Sequence, residues 1–241
     1  MNTSNQTDFV AAERERVQLE YQRRAREVRS DLYAPWQPAE RFMLDNRNRT
    51  AAIMLQLLDV FPKAGDQCLE VGYGTLGWLT ELISWGVRES DVHGIEVDPA
   101  RAAKAREVLP AADLRIGDAV ELPWHNDSLQ LVIASTLFTS ILDPKVGRLI
   151  ANEITRVLAP GGALLWYYFA YNNPRNPNVQ GIGRAEIKQL FPTLAGKIRA
   201  ITLAPPVTRI IAPRLWTLAT FLEAIPLLRT HLIAVLIKGR S

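Results

Sequence analysis

The sequence predicts an α/β fold in which a mostly parallel sheet is covered by helices on both faces, behind a helical N-terminal segment. Three observations carry that prediction. From Gln67 onward, short apolar runs alternate with helical stretches, the pattern of parallel strands linked by crossover helices. The first run, CLEV, opens directly into Gly72-x-Gly74-x-x-Gly77 and then an amphipathic stretch closed by Gly86, so a strand, a tight turn and a helix follow one another. Asp98–Pro99 and Asp143–Pro144 each set an N-capping side chain before a proline whose fixed φ suits the first helical position. With 241 residues, 48% of them hydrophobic and 22% charged, the chain has the apolar content for one such domain with decorations.

Met1 to Thr7 carry little that would order them. Residues 9 to 30 read as a charged helix, whose arginines at 14, 16, 23, 24, 26 and 29 are interleaved with Glu13, Glu15, Glu20 and Glu27. Alternating signs at helical spacing point to a solvated face, and no pattern of aromatics among basic residues accompanies them, so nucleic acid is not an expected partner. Pro35 and Pro38 break that helix before a second one that runs through RTAAIMLQLLDVF. The strands expected next are CLEV, VHGIEV, DLRI, LQLVIAS and ALLWYYF, with Gly161 and Gly162 in a turn before the fifth. KIRAITLA and THLIAVLIK are two more, separated by the apolar PPVTRIIAPRLWTLATFLEAIP.

Prolines and charges interrupt the stretch from Ile201 to Ile237, so it lacks the roughly 20 continuous apolar residues of a membrane span, while an amphipathic contact with a membrane surface stays open. The start MNTSNQTDFV has no basic region followed by an apolar core, and a cytoplasmic location is expected. Cys68 is the single cysteine, which excludes an internal disulfide and reads as a small buried hydrophobe. Neither a cysteine cluster nor a histidine–carboxylate spacing suggests a metal.

The glycine-spaced turn carries the chemistry. Glycines let the backbone bend sharply and let a ligand approach it, while the next helix offers its first amides to polar groups. The second strand ends in Glu96, about 24 residues beyond Gly72, where a carboxylate can accept from both ribose hydroxyls of a nucleoside. That pair fits a dinucleotide or S-adenosylmethionine. Glu70, two residues before the first glycine, stands where a dinucleotide site has an apolar residue, and its charge suits an ammonium group. Asp118 follows the third strand, in position for an adenine amino group, and LQLVIAST is followed by a helix ending in RVLAPGG and by ALLWYYF.

This succession resembles the class I S-adenosylmethionine-dependent methyltransferases, in particular the branch with the ubiquinone and menaquinone methyltransferases and many small-molecule methyltransferases. The resemblance implies a Rossmann-like sheet of seven strands, the last antiparallel. It implies that Glu70, Gly72, Tyr73, Gly74 and Gly77 form the loop at the methionine end, Glu96 and Val97 the ribose clamp, Asp118 and Ala119 the adenine contact, with Ser135 and Thr136 facing cofactor and acceptor. Leu76 departs from the family pattern, which often has a small residue there. On this reading residues 1–50 are a helical cover, 51–170 the S-adenosylmethionine-binding core, and 171–241 an acceptor-side segment completing the same domain.

Just beyond the fifth strand, YYFAYNNPRNPNVQGIGRAEIKQLF falls at the sheet edge where ligands of open α/β folds bind. There Asn172, Asn173 and Arg175 are candidates to hold hydroxyls, a carboxylate or a phosphate, and Tyr167, Tyr168 and Tyr171 to wall an acceptor pocket; the same residues suit a simple turn. Because a methyl sulfonium is already electrophilic, the expected reaction is in-line displacement on a small-molecule, sugar or lipid-linked acceptor, with oxygen the favoured atom and a base useful for an ordinary alcohol. Asp143, His125 and His231 are the candidate bases, and Asp143 doubles as a helix cap. Two other readings stay open: a noncatalytic protein of the same fold, and a nicotinamide-dependent oxidoreductase, against which Glu70 and Asp118 argue.

Overall fold

The computed structural model describes residues 3–27, 31–74, 76–172 and 176–240. Two helices come first, α1 (Thr3–Glu27) and α2 (Pro38–Leu57). The alternating part follows as β1 (Cys68–Val71), α3 (Leu79–Ser84), β2 (Val92–Glu96), α4 (Pro99–Val108), β3 (Asp113–Ile116), β4 (Leu129–Ser135), α5 (Pro144–Val157) and β5 (Leu158–Phe169). The chain ends with α6 (Arg184–Leu190), β6 (Leu194–Leu203), α7 (Pro205–Ile211), α8 (Trp216–Glu223) and β7 (Arg229–Lys238).

One seven-stranded sheet has the order β3-β2-β1-β4-β5-β7-β6, and β7 runs antiparallel to both of its neighbours. The order reverses between β1 and β4, which are paired in parallel from Cys68 with Leu131 to Val71 with Ala134. At such a reversal the loops leaving the two strands diverge and open a crevice at the carboxyl edge.

Alternation along the central strands sorts the core into two layers. Val132, Ala134, Trp166 and Tyr168 face one side with Phe138 and the apolar stripe Val146, Ile150, Ile154 and Val157 of α5. Leu131, Ile133, Leu165 and Tyr167 face the other, against Met54 and Leu55 of α2 and Leu79 and Leu82 of α3. Cys68 is fully buried there, and burial pushes its thiol pKa well above the usual value. A third, smaller cluster joins Phe42 and Met43 of α2 to Leu203, Ala212 and Ala219.

The two caps form as the sequence predicts: Asp98 accepts from Ala100 N at 2.8 Å and Asp143 from Lys145 N at 2.7 Å. Three expectations are corrected. The first helix starts at Thr3 rather than near residue 9. Its charges are not all solvated: Glu13 and Glu20 are 7% and 5% exposed. Gly161 and Gly162 lie inside β5, where a register shift against β4 between Leu129 and Leu131 and a φ of 79° at Gly161 absorb the expected turn. Among the described residues no helix is long and apolar enough to cross a membrane, and no group of three or more His, Cys, Asp or Glu is placed to hold a metal ion.

Candidate cofactor site

At the carboxyl edge of β1, β2 and β3 lies a recess with about 570 Å3 of empty space, part of it open to solvent. Its floor and walls are Gly72 after β1, Ile95 and Glu96 at the tip of β2 with Val97 beyond, and Gly117, Asp118 and Ala119 after β3. Leu137, Ser140 and Ile141 follow β4, and Val10, Glu13, Arg14, Val17 and Tyr21 of α1 form the roof. Gly72 needs its glycine: φ is +72°, and an added Cβ would lie 3.0 Å from Leu137 Cδ1. Over Gly74, at φ +64°, a Cβ would meet nothing within 4 Å, so the loop stands beside open space.

Glu96 is held rigidly. Its Oε2 accepts from Gly74 N at 2.8 Å and its Oε1 from Asp98 N at 3.0 Å, which ties the tip of β2 to the glycine turn. Each oxygen keeps a free lone pair, the number that two vicinal hydroxyls require. Burial raises the pKa of this carboxyl, and the two backbone amides work against that rise.

Glu70 has a different place from the one expected of it. It is 1% exposed, does not line the recess, and accepts from Trp78 N at 2.5 Å beneath the glycine turn. Gly77, at φ +45°, lies so close that an added Cβ would sit 2.6 Å from Glu70 Cδ. Burial pushes the Glu70 carboxyl up to about 8; the Trp78 amide and the guanidinium of Arg47, itself stacked 3.9 Å from the Trp78 ring, oppose the rise.

Of the ten residues expected at the cofactor, Gly72, Glu96, Val97, Asp118 and Ala119 line the recess, whereas Glu70, Tyr73, Gly74, Gly77 and Ser135 do not. The Tyr73 side chain turns into the core beneath Gly94, whose added Cβ would be 2.5 Å from Tyr73 Cδ1, so only its backbone belongs to the turn. Leu76 packs toward the α3 side of the core and does not narrow the recess.

The acceptor side is corrected more heavily. Tyr168 is fully buried; its hydroxyl accepts from Phe138 N and its ring lies 4.2 Å from that of Trp166, so it walls no open pocket. Tyr167 faces the opposite layer, bonded to Thr202 Oγ1 at 3.0 Å. Thr136 turns the chain at φ +55°. Tyr171 is 66% exposed and Asn172 Oδ1 accepts from Gly181 N at 2.8 Å, a turn-shaping contact. Asn173 and Arg175 lie outside the described residues.

None of the three candidate bases reaches the recess. His125 is exposed and precedes the amino end of β4, at the sheet edge opposite the recess. Burial lowers His231 to about 4, and its ring stacks on Tyr167 at 5.1 Å. Asp143 is the cap of α5.

What sequence reasoning missed is the roof. Glu13 accepts from Leu142 N at 2.5 Å and Asp143 N at 3.3 Å, and Arg16 donates to Ser140 O, so α1 is pinned to the segment after β4. Burial pushes Glu13 up, but the bonds from Arg16, Leu142 and Asp143 outweigh it and leave its pKa below the usual value. The signal was present: residues 10, 13, 14, 17 and 21 fall on one helical face.

The strand order, the glycine turn after β1 and the carboxylate at the tip of β2 together define a Rossmann-like methyltransferase fold. Residues 68–162 match the family model described as a methyltransferase domain. Demethylmenaquinone methyltransferase of Chlorobaculum parvum is 26% identical over 161 residues, 67% of this chain and 64% of that protein. Phthiotriol/phenolphthiotriol dimycocerosates methyltransferase of Mycobacterium leprae is 32% identical over 105 residues, 43% of this chain and 37% of that one. The chain spans between 32% and 64% of the length of the first curated relatives it matches. In fold it is similar to a methyltransferase structure from Thermotoga maritima, with a TM-score of 0.62 at 16% identity over 91% of this chain and 98% of that one. Residues 68–162 thus carry the pattern of a methyltransferase domain, within a chain similar in fold to that structure.

Proposed function

We propose that the protein transfers a methyl group from S-adenosylmethionine to a small-molecule or lipid-borne acceptor. The observation that carries the reading is Glu96, fixed by two backbone amides at the tip of β2 on the wall of the recess. Held there by Glu96, Asp118 and Ala119, the cofactor would supply an electrophilic methyl group for in-line transfer to a nucleophilic atom of the acceptor.

The chain's own groups orient and exclude water. Glu96 accepts from the ribose hydroxyls, Asp118 and Ala119 receive the base edge, and Gly72 with Val97 lets backbone approach the ligand. Glu70 and Gly77 act at one remove, by fixing the turn at the Trp78 amide, and Gly74 by donating its own amide to Glu96. Ser135 and Thr136 at the end of β4, and Tyr171 and Asn172 beyond β5, flank the acceptor's side of the edge, with Asn173 and Arg175 in the same stretch. The roof of α1 covers part of the recess, in keeping with a cover at 1–50, a core at 51–170 and an acceptor-side segment at 171–241.

Oxygen remains the proposed target atom, with a qualification the site imposes. The wall carboxylates each hold backbone amides, Glu13 that of Leu142, Glu96 those of Gly74 and Asp98, and Asp118 that of Val120, which suits them to positioning rather than to deprotonating an ordinary alcohol. An acidic hydroxyl such as a phenol, which loses its proton to solvent, fits this recess better. The relatives' names support small or lipid-borne acceptors, one naming demethylmenaquinone and one phthiotriol dimycocerosates.

Calorimetric titration with S-adenosylhomocysteine and with NAD, on the wild type and Glu96→Ala, tests the reading. Binding of the former alone, weakened by the substitution, supports it. Binding of NAD alone refutes it, and binding of neither leaves a noncatalytic fold as the better account.

A further inference from the structure

We infer that the α7–α8 excursion is a docking surface for an anionic lipid bilayer. Segment 204–228 leaves β6 and re-enters at β7, and Leu203 pairs with Arg229 as Phe169 pairs with His231. Both ends therefore lie at the carboxyl edge of β5, the same edge at which β1, β2 and β4 open onto the recess.

The excursion is firmly built. Ala212 and Ala219 pack with Phe42, Met43 and Leu203, the Phe42 and Trp216 rings meet edge to face at 5.0 Å, and buried Glu223 accepts from Leu203 N at 3.1 Å. Its outward side is nevertheless apolar. Ile210, Phe221 and Leu227 are 68%, 73% and 95% exposed, and Leu215, Trp216 and Leu218 are exposed beside them. Neighbouring apolar side chains held in water by well-packed helices mark a contact surface rather than frayed structure.

Charge selects the occupant. Arg209 and Arg214 are exposed beside this surface, Arg229 is engaged with the carbonyls of Ala200, Glu223 and Ala224, and the single carboxylate of residues 204–230, Glu223, is buried. Arg209 stacks on Tyr33 at 5.8 Å, with the half-buried Glu40 as a nearby counter-charge. A second copy meeting this face about a twofold axis would set arginines against arginines. An anionic bilayer offers hydrocarbon to the apolar side chains and phosphates to the guanidiniums. Docked through this edge, the recess would face the surface from which a lipid-borne acceptor is drawn; that corollary alone rests on the proposed methyl transfer.

The test is co-sedimentation of the whole chain with vesicles of phosphatidylcholine alone and of phosphatidylcholine with phosphatidylglycerol, beside the variants Phe221→Ser/Leu227→Ser and Arg214→Glu. The expected result is binding to the anionic vesicles that weakens with salt, and a need for at least about tenfold more lipid in the double variant. Both side chains are exposed, so thermal stability and S-adenosylhomocysteine binding stay at wild-type values. Failure of the wild type to sediment, or equal sedimentation of the double variant, overturns the proposal. So does a dimer on size exclusion that the double variant dissolves, which would make a second copy the occupant. A failed methyltransferase reading shows instead in the nucleoside titration and leaves the vesicle result untouched.

Discussion

Glu70→Gln changes a buried carboxyl into a neutral group of the same shape, and its consequence is a change in how stability depends on pH. In the folded chain burial raises the carboxyl from 4.5 to about 8. The folded state thus holds a proton that the unfolded chain has released. Stability from this group is present below pH 4.5 and is lost as pH rises through the window up to about 8. Within it the slope approaches about 1.4 kcal/mol per pH unit. For a chain of this length that corresponds to a fall in Tm of roughly 3 to 5 °C per unit. Glutamine carries no such proton and still accepts from Trp78 N through its amide oxygen. The assay is thermal unfolding of both proteins between pH 5.5 and 8. Other titrating groups act on both, so the difference in slope isolates Glu70: the wild type should lose stability relative to the variant as pH rises. Parallel curves would refute the reasoning and mean that the carboxylate is ionised under the turn.

Gly77→Ala should lower stability by about 2 to 4 kcal/mol, from left-handed backbone strain and displacement of Glu70 from the Trp78 amide, which a Tm drop of roughly 5 to 15 °C would register. Glu96→Ala should weaken S-adenosylhomocysteine binding about a hundredfold or more, since two hydroxyl bonds to a charged acceptor are lost, with Glu96→Gln intermediate by calorimetry. Glu13→Ala should free α1 from Leu142 and Asp143, seen as hydrogen exchange in residues 10–21 faster by the equivalent of about 1 to 3 kcal/mol. Because the folded Glu13 pKa lies below its usual value, its contribution is present above pH 4.5 and lost as pH falls, so wild-type α1 should loosen in acid and the variant should respond less.

The legible part of the site was the part encoded by consecutive residues. Gly72 and Glu96 stand at the ends of strands whose apolar runs are unmistakable, and a turn that needs positive φ at Gly72, Gly74 and Gly77 announces itself by its glycines. Tyr167 and Tyr168 show where reading stopped. Both looked fit to wall a pocket, but neighbours in a strand face opposite layers, and in a central strand both layers are core. Asn172, expected to touch a ligand, instead shapes a turn with Gly181 nine residues on.

The sequence by itself determined the succession of seven strands, the two capped helix starts, the glycine turn and the carboxylate at Glu96, because each depends on residues within a few positions of one another. Tertiary structure decided the rest. It turned Glu70 under the loop, laid the face of α1 with Glu13 and Val17 over the recess, and gathered the apolar residues of α7 and α8 at the same sheet edge. Those placements depend on partners far along the chain, Glu13 with Leu142 and Leu203 with Glu223 among them, and a contact between distant residues leaves no local spacing to read.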